Sequence, residues 1–141
     1  MHLYPTMSSM PSRDEVNLLL DTHVLLWALA SPRRLPLRAS AAIRDPANRV
    51  FFSAASTWEI AIKASLGKLV ADVRDVARAA SGADFDELPI TVAHSLRVRD
   101  LPPHHRDPFD RILVAQAWEE GLTVVTRDPA LQAYSVPILF D

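Results

Sequence analysis

Short apolar runs alternate with longer amphipathic segments along the chain, and this alternation limits the fold more than any other feature of the sequence. The runs at 16–20, 49–53, 122–126 and 136–140 are short and mostly apolar, as in strands buried on both faces of a parallel sheet. A further run at 85–90 contains Pro89, which limits the strand that can form there. The order of the segments predicts an α/β domain with a central, mostly parallel sheet.

Helical spacing of apolar residues marks the segments between the predicted strands. Gly67 and Gly121 lie where helices commonly end on glycine, and Pro36 lies where a helix can begin. The segment 102–110 is predicted to be a rigid, polar loop because prolines and charged residues dominate it. The helices are predicted at 22–31, 36–45, 54–69, 71–82, 91–101 and 111–121, with a short helical piece at 129–134.

Composition excludes several classes of protein. The 141 residues, 49% of them apolar, suit one globular domain, and the net charge of −2 gives no overall basic field for nucleic acid, although a local patch would suffice. The absence of cysteine excludes disulfides and thiolate metal sites and is compatible with the reducing cytoplasm, where we expect the protein to reside. No apolar run approaches the roughly 20 residues of a membrane span, so we expect no membrane partner.

The first 15 residues differ from the rest of the chain. They are polar and turn-prone, and they lack the apolar core of a signal peptide. We expect residues 1–15 to form a flexible leader and residues 16–141 to form a single domain.

Two aspartates follow predicted strands directly. Asp21 ends the first apolar run and Asp128 comes just after the fourth strand in chain order. Ligands bind at the carboxyl ends of the strands in open α/β sheets, so the two carboxylates would be close together there. The alternative for each is a helix N-cap, a position that aspartate favours.

Two further acids lie on predicted helices. Asp110 is followed at helical spacing by Leu113, Val114 and Ala117, so it heads the apolar stripe of its helix. The alternative is that Asp110 only complements the positive helix N-terminus. Glu59 lies among apolar residues, and its alternative is an ion pair with Lys63 one turn later.

The four acids together indicate a metal site. Asp21, Glu59, Asp110 and Asp128 can converge on one cleft, where unpaired carboxylates would repel one another. A divalent cation removes this conflict, and oxygen ligands favour a hard ion such as Mg²⁺ or Mn²⁺. Such an ion suits phosphodiester hydrolysis because it activates a water molecule and stabilises the charge on the phosphate oxygens.

Four stretches of the chain resemble the acidic motifs of the PIN-domain ribonucleases. They are LLLDTHVLLW, SAASTWEIAIKASLGKL, HHRDPFDRILVAQA and LTVVTRD, in that order. The similarity is closest to the VapC-like toxins of bacterial toxin–antitoxin pairs. It implies a three-layer α/β/α fold with a central parallel sheet, and a Mg²⁺- or Mn²⁺-dependent endoribonuclease that is inhibited by a cognate antitoxin. It also suggests a homodimer.

The resemblance assigns roles to individual residues. Asp21, Glu59, Asp110 and Asp128 match the family's four acids, and they are therefore expected to be both the catalytic residues and the metal ligands. Asp110 is preferred to Asp107 because the family's third acid directly precedes the apolar helix stripe, and Asp107 remains an alternative ligand or a supporting group. Thr126 matches a recurrent hydroxyl position and is expected to orient a water molecule.

The local setting of other side chains indicates their roles. His104 and His105 lack partners at metal-binding spacing and are expected to anchor a loop or contact phosphate. His23 and His94 are expected to be structural, and the tryptophans to be core residues. The cations near the acidic motifs are expected either to hold RNA phosphates or to remain solvated; they are Lys63, Lys68, Arg106, Arg111 and Arg127.

Two other functions compete with the endoribonuclease. A phosphoryl-accepting receiver domain needs paired acids after the first strand and a lysine after the last, and this chain has neither. A non-catalytic PIN-like module that binds RNA or a protein partner without cleavage remains open.

Overall fold

The central sheet is parallel, in agreement with the mostly parallel sheet that the apolar runs predict. A computed structural model describes residues 16–104 and 106–140. The described residues form a five-stranded sheet in the order β3-β2-β1-β4-β5, and every neighbouring pair is parallel. The strands are β1 (Asn17–Leu20), β2 (Arg49–Ser53), β3 (Asp86–Leu88), β4 (Thr123–Val125) and β5 (Ile138–Leu139).

Six α-helices connect the strands within the described ranges. They are α1 (Thr22–Ala30), α2 (Leu37–Arg44), α3 (Ala54–Ser65), α4 (Val73–Gly82), α5 (Val92–Arg99) and α6 (Pro108–Glu120). Two short 3₁₀ helices span Pro32–Arg34 and Pro129–Ala133. None of the helices in this part of the chain is long and apolar enough to cross a membrane.

Helices cover both faces of the sheet, which gives the three-layer α/β/α architecture. The three leucines of β1 have no exposed surface, with Leu18 and Leu20 in one apolar cluster and Leu19 in the other. The first cluster takes side chains from α1, α2 and α4, and the second is built mainly on α6. Helix α3 contacts α1 and α4 on one side and α6 on the other.

The strand order places a crevice at the carboxyl ends of β1 and β4. From β1 the chain moves outward to β2 and β3, and it then returns to the opposite edge of β1 as β4. A reversal of this kind separates the connecting helices and leaves a binding crevice in open α/β sheets. Leu20 pairs with Val125, and the Asp21 N–H donates to the Val125 carbonyl at 3.0 Å. The residues that follow both strands are therefore neighbours.

Most predicted elements are confirmed, but some boundaries were wrong. The helix predicted at 54–69 ends at Ser65, and the strand predicted at 136–140 is reduced to Ile138–Leu139. Helix α6 begins at Pro108, not after Asp110, because Asp107 caps the helix and Pro108 occupies its first turn. Gly67 and Gly121 adopt left-handed conformations after α3 and α6, as their predicted role in ending helices requires. The predicted leader, residues 1–15, lies outside the described residues.

The tryptophans differ from the expectation that all are core residues. Trp27 is half-buried and packs against the first apolar cluster. Trp58 and Trp118 are 58% and 42% exposed. Helical spacing identifies apolar positions, but it does not show which flank of a helix a neighbour covers.

A buried polar network joins α6 to the end of β2 and to the loop before α5. The Ser53 hydroxyl donates to Gln116 Oε1 at 2.6 Å, and Gln116 Nε2 donates to the Pro89 carbonyl at 3.3 Å. Next to it, the buried His94 accepts from the Thr91 N–H and contacts Glu120 at 2.8 Å. Since Ser53 is also the N-cap of α3, this network fixes α3 relative to α6.

Replacing Gln116 by leucine tests the network. The change leaves the buried Ser53 hydroxyl and the Pro89 carbonyl without this partner, which costs about 2 kcal/mol. We expect the melting temperature to fall by about 6 °C. Gln132→Leu is the matched control because Gln132 is exposed. Equal melting temperatures for the two variants in a thermal denaturation series would contradict the assignment.

Candidate active site

One cavity brings together the four acids that the sequence singled out. It has a volume of about 230 Å³ and lies at the crevice between the ends of β1 and β4. Its lining residues are Asp21, Thr22, His23, Glu59, Lys63, Asp107, Asp110 and Asp128. Five carboxylates therefore share one space with a single lysine. Their catalytic role stays a prediction.

Asp21 both caps a helix and lines the cavity. Its Oδ1 accepts from the Val24 N–H at 2.8 Å, which satisfies a free donor at the start of α1. Its Oδ2 accepts from the Thr126 hydroxyl at 2.5 Å. The two interpretations of Asp21, N-cap and site residue, are thus compatible in geometry.

Burial makes the charged form of Asp21 costly. Desolvation raises the pKa of Asp21 above its ordinary value of 3.8, more than the hydrogen bonds from Thr126 and Val24 lower it. The nearby charge of Asp128 raises the pKa further, and His23 opposes it. Because the folded state holds its proton more tightly than the unfolded state, Asp21 reduces stability as pH rises above the ordinary carboxyl pKa.

Thr126 connects the acids that follow β1 and β4. Its hydroxyl donates to Asp21 and accepts from the Asp128 N–H at 3.0 Å. The Asp128 carboxylate in turn accepts from the Ala130 N–H at 2.9 Å and caps the 3₁₀ helix that follows. The hydroxyl proton of Thr126 is therefore used to orient Asp21, whereas the sequence suggested that it would orient a water molecule.

Glu59 is held on both oxygens. The Thr22 hydroxyl donates to Oε1 and Lys63 Nζ donates to Oε2, each at 2.6 Å. The ion pair with Lys63 is the alternative that the sequence left open, yet Glu59 is only 5% exposed, so this is not an ordinary surface pair. Ser56 Oγ lies 3.0 Å from Thr22 Oγ1 and extends the chain of hydroxyl groups.

Lys63 is the cation of the cavity. Its hydrogen bond with Glu59 raises its pKa above the ordinary 10.5, against the effect of partial burial. The charges of Glu59, Asp107 and Asp110 raise the pKa further. A positive charge thus lies where these three acids concentrate negative charge, which lowers their mutual repulsion.

Asp107 and Asp110 belong to the first turn of α6. Asp107 Oδ1 accepts from the Phe109 N–H at 2.8 Å and lies 3.5 Å from the Asp110 N–H, which makes Asp107 the helix N-cap. Asp110 is half-buried and lies within that first turn. Both carboxylates line the cavity, so the preference for Asp110 as a ligand remains a prediction.

Several other assignments change with the structure. The expectation that His23 is structural was wrong, since the side chain is exposed and lines the cavity. Arg111 is not simply solvated, because its guanidinium donates to the carbonyls of Val98, Leu101 and Pro102 and so holds the loop before α6.

His94 and His104 agree better with the roles expected from the sequence. His94 is fully buried and structural, as expected. The His104 ring lies 5.2 Å from the Tyr134 ring in an edge-on contact, which supports loop anchoring. His105 lies outside the described residues.

Sequence reasoning missed the hydroxyl groups behind the acids. Thr22 directly follows Asp21, and Ser56 lies three residues before Glu59, on the same helix face. These hydroxyl residues could have been predicted as hydrogen-bond partners, because each lies close in sequence or on the same helix face to an acid in an apolar segment.

The metal-binding arrangement itself is not formed by the side chains as they stand. Within 16–104 and 106–140, no three His, Cys, Asp or Glu side chains are arranged as ligands of one ion. The oxygens of Asp21 and Glu59 are directed at donors of the protein instead.

Comparisons with known proteins agree with the fold and the motifs. Residues 18–137 match the PIN domain family. The chain is 31% identical to Ribonuclease VapC22 of Mycobacterium tuberculosis over 121 residues, which covers 84% of this chain and 92% of that protein.

Solved structures share the fold at low sequence identity. VapBC2 from Rickettsia felis, crystallised with a DNA fragment from its promoter, superposes with a TM-score of 0.66 at 12% identity, over 89% of this chain and 100% of the other. VapBC-5 from Mycobacterium tuberculosis superposes with a TM-score of 0.57 at 23% identity, over 88% and 98%.

The fold and the order of the acidic motifs are those of one family of proteins, and the sequence comparisons identify that family. The chain belongs to the PIN-domain family, in its VapC-like branch.

Replacing Asp21 by asparagine distinguishes the effect of its buried charge on stability from the effect of its role as a helix N-cap. Asparagine caps helices about as well and removes a buried charge at similar volume. At neutral pH in EDTA, we expect Asp21→Asn to be more stable by about 1 kcal/mol, the usual size of a stabilising substitution, or roughly 3 °C in melting temperature. The gain should shrink as pH falls toward the ordinary carboxyl pKa, because both proteins are then neutral at this position.

The matched control is Asp72→Asn, at the exposed N-cap of α4. Its melting temperature should barely change, since no buried charge is removed. Added Mg²⁺ should cancel the advantage of Asp21→Asn if only the intact site binds the ion well. A thermal denaturation series over pH and Mg²⁺ in which Asp21→Asn and Asp72→Asn behave alike would contradict this account.

Proposed function

We propose that this protein is an endoribonuclease that depends on Mg²⁺ or Mn²⁺ and hydrolyses RNA phosphodiester bonds. The observation that carries the proposal is the single cavity lined by five carboxylates at the ends of β1 and β4. Structural carboxylates usually lie apart or beside basic partners, whereas these are gathered in one space where they repel one another. The likeness to a protein named a ribonuclease supports RNA as the substrate.

The donor chemistry fits a hard divalent ion. Carboxylate oxygens are the ligands that Mg²⁺ prefers, and they outnumber the one imidazole in the cavity. The ion would be held by Asp21, Glu59, Asp110 and Asp128. When bound, it supplies activation of water and stabilisation of negative charge on the phosphate.

The protein's own contacts orient these acids. Val24 N–H and the Thr126 hydroxyl fix both oxygens of Asp21, and the Ala130 N–H fixes Asp128. Thr22 and Lys63 hold Glu59, and Asp107 begins the helix that carries Asp110. These contacts keep the carboxylates in the cavity, and the oxygens of Asp21 and Glu59 would have to share or exchange their protein donors to bind a cation.

The nuclease proposal is tested on the purified protein with single-stranded RNA. We expect cleavage with Mg²⁺ or Mn²⁺ and none with excess EDTA. Asp110→Asn should lower the rate at least about 100-fold, the scale on which loss of one charge-stabilising group acts. Asp72→Asn should retain full activity as the matched control. Cleavage that persists in EDTA would refute the metal dependence.

The same assay addresses the competing proposal of a non-catalytic module. RNA that is bound but not cut with either ion would favour that alternative. Equal activity of wild type and Asp110→Asn would leave a nuclease but overturn this assignment of the site.

We also propose that the protein acts as a toxin restrained by a small antitoxin. Support comes from structural relatives described as members of toxin–antitoxin systems. Expression of this chain alone should slow bacterial growth, and co-expression of the antitoxin, which we expect the neighbouring gene to encode, should relieve it. Asp110→Asn is the control that should be harmless at equal expression. Normal growth with an active, soluble enzyme would count against the toxin role.

An exposed apolar surface supports a homodimer. Val92 and Leu96 are 75% and 64% exposed and lie one turn apart on α5. Ser95, on the same helix, lines a cavity of about 470 Å³ together with Trp58 and Ile90. Patches of this kind mark interaction sites on soluble proteins. We propose that α5 contributes to contact with a second copy of the chain.

Sedimentation analysis tests the dimer. The wild type should sediment as a dimer, and Leu96→Glu should shift it toward the monomer because it places a charge in the contact. The exposed Val70→Glu, on the segment between α3 and α4, is the matched control and should not dissociate the dimer. A monomeric wild type would refute the proposal.

A further inference from the structure

A second cavity adjoins the acidic one. It has a volume of about 350 Å³ and is lined by Asp21, His23, Trp27, Arg127, Asp128 and Pro129. Asp21, His23 and Asp128 line both cavities, so the two spaces meet at these side chains. A molecule whose phosphate lies at the acids would therefore extend directly into the second cavity.

An aromatic platform forms part of this second cavity. Trp27 and His23 lie one turn apart on α1, with ring centroids 6.0 Å apart and planes inclined by 37°. Phe140 also contacts the indole, with its ring centroid 6.5 Å from that of Trp27. Trp27 and Phe140 both pack against the first apolar cluster, and this packing holds the indole in place. Trp27 is thus anchored by the core and still reaches the cavity.

Arg127 brings a cation to the platform. Its guanidinium lies 5.7 Å from the Trp27 ring centroid, and that of Arg34 lies 5.6 Å away. Arg127 is exposed, and in the described part of the chain it forms no ion pair, although it directly precedes Asp128. Stacking on an indole orients a guanidinium without using its N–H donors. Those donors remain available to a ligand.

These features match the chemistry of a nucleotide. Unpaired bases stack on aromatic rings and on guanidinium planes, and arginine binds phosphate. The volume is at the small end of ligand pockets, which suits one base and not a base pair. Asp21 and Asp128 would repel the phosphate of a flanking nucleotide, so that phosphate, unlike the one to be cut, belongs on the Arg127 side of the cavity.

We propose that this cavity is a subsite for one nucleotide of single-stranded RNA that flanks the cut phosphate. The base rests on the platform of Trp27 and His23, and Arg127 binds the phosphate. This inference rests on the proposed nuclease function for its location relative to the cut. Stacking and phosphate contacts do not read base edges, so the subsite adds affinity with little sequence preference.

The first test measures binding apart from cleavage. In the full chain carrying Trp58→Phe and Trp118→Phe, Trp27 is the remaining tryptophan. Single-stranded oligouridylate in EDTA should quench its fluorescence in a saturable way. Arg127→Gln in this background should weaken binding about tenfold and lower the slope of log Kd against log salt by about 0.7, the value for one phosphate contact on a single strand. Arg127→Lys keeps the charge and should retain the salt slope.

Arg78→Gln is the matched control, because Arg78 is an exposed arginine on α4 that pairs with Asp75. It should change neither the affinity nor the salt slope. Absence of quenching, or an unchanged affinity and salt slope for Arg127→Gln, would overturn the subsite. If Arg127→Gln does not fold, the comparison of Arg127→Lys with the parent decides, since loss of the planar guanidinium alone should still weaken binding several-fold.

A cleavage assay on the wild type separates this proposal from the nuclease proposal. If RNA is cleaved with Mn²⁺ while Arg127→Gln binds RNA as the parent does, the subsite is wrong and the nuclease stands. If Trp27 is quenched and Arg127→Gln weakens binding but no RNA is cut, the binding site stands and the nuclease is wrong. In an active enzyme, Arg127→Gln should raise KM with kcat nearly unchanged, as expected for loss of a contact made equally in ground and transition states.

Discussion

The parallel pairing of β1 with β4 is the constraint on which the site depends. It sets Leu20 beside Val125, so Asp21 and Thr126 follow directly at the same edge of the sheet. The reversal of strand order at this point keeps the connecting helices apart and leaves the crevice open. Helix α3 and the start of α6 then close two sides of the crevice, which adds Glu59 and Asp110. The acids converge because of topology, although they are far apart in sequence.

Five carboxylates in one cavity destabilise the folded protein, and hydrogen bonds and a nearby cation reduce this destabilisation. Asp21 and Glu59 are almost fully buried, and both accept hydrogen bonds on each oxygen. Lys63 supplies positive charge, and its hydrogen bond with Glu59 raises its pKa. The groups that reduce this destabilisation also hold the carboxylates in place. A loss of stability of this kind is common at functional sites.

The sequence predicted the features that depend on local patterns. The leucines of β1 are buried on both faces, and that is why a short continuous apolar run was a reliable sign of a parallel strand. Asp21 was recognisable because it interrupts such a run. The proximity of Asp21 and Asp128 was predictable from the strand ends, but the hydrogen bond to Asp21 from Thr126, 105 positions away, was not. The exposure of Trp58 and the use of Arg111 as a loop clamp depend on which helix flanks are covered, which periodicity does not report.

The central claim is that the carboxylates at the ends of β1 and β4 form one divalent-ion site. The most direct measurement is an anomalous difference map from crystals of the wild type soaked with Mn²⁺, with Asp21→Asn crystals soaked in parallel. The account predicts a peak in the acidic cavity within coordinating distance of Asp21 and at least one more of the four acids, and a weaker or absent peak in Asp21→Asn. A wild-type cavity without a peak at saturating Mn²⁺, or an equal peak in both proteins, would contradict it.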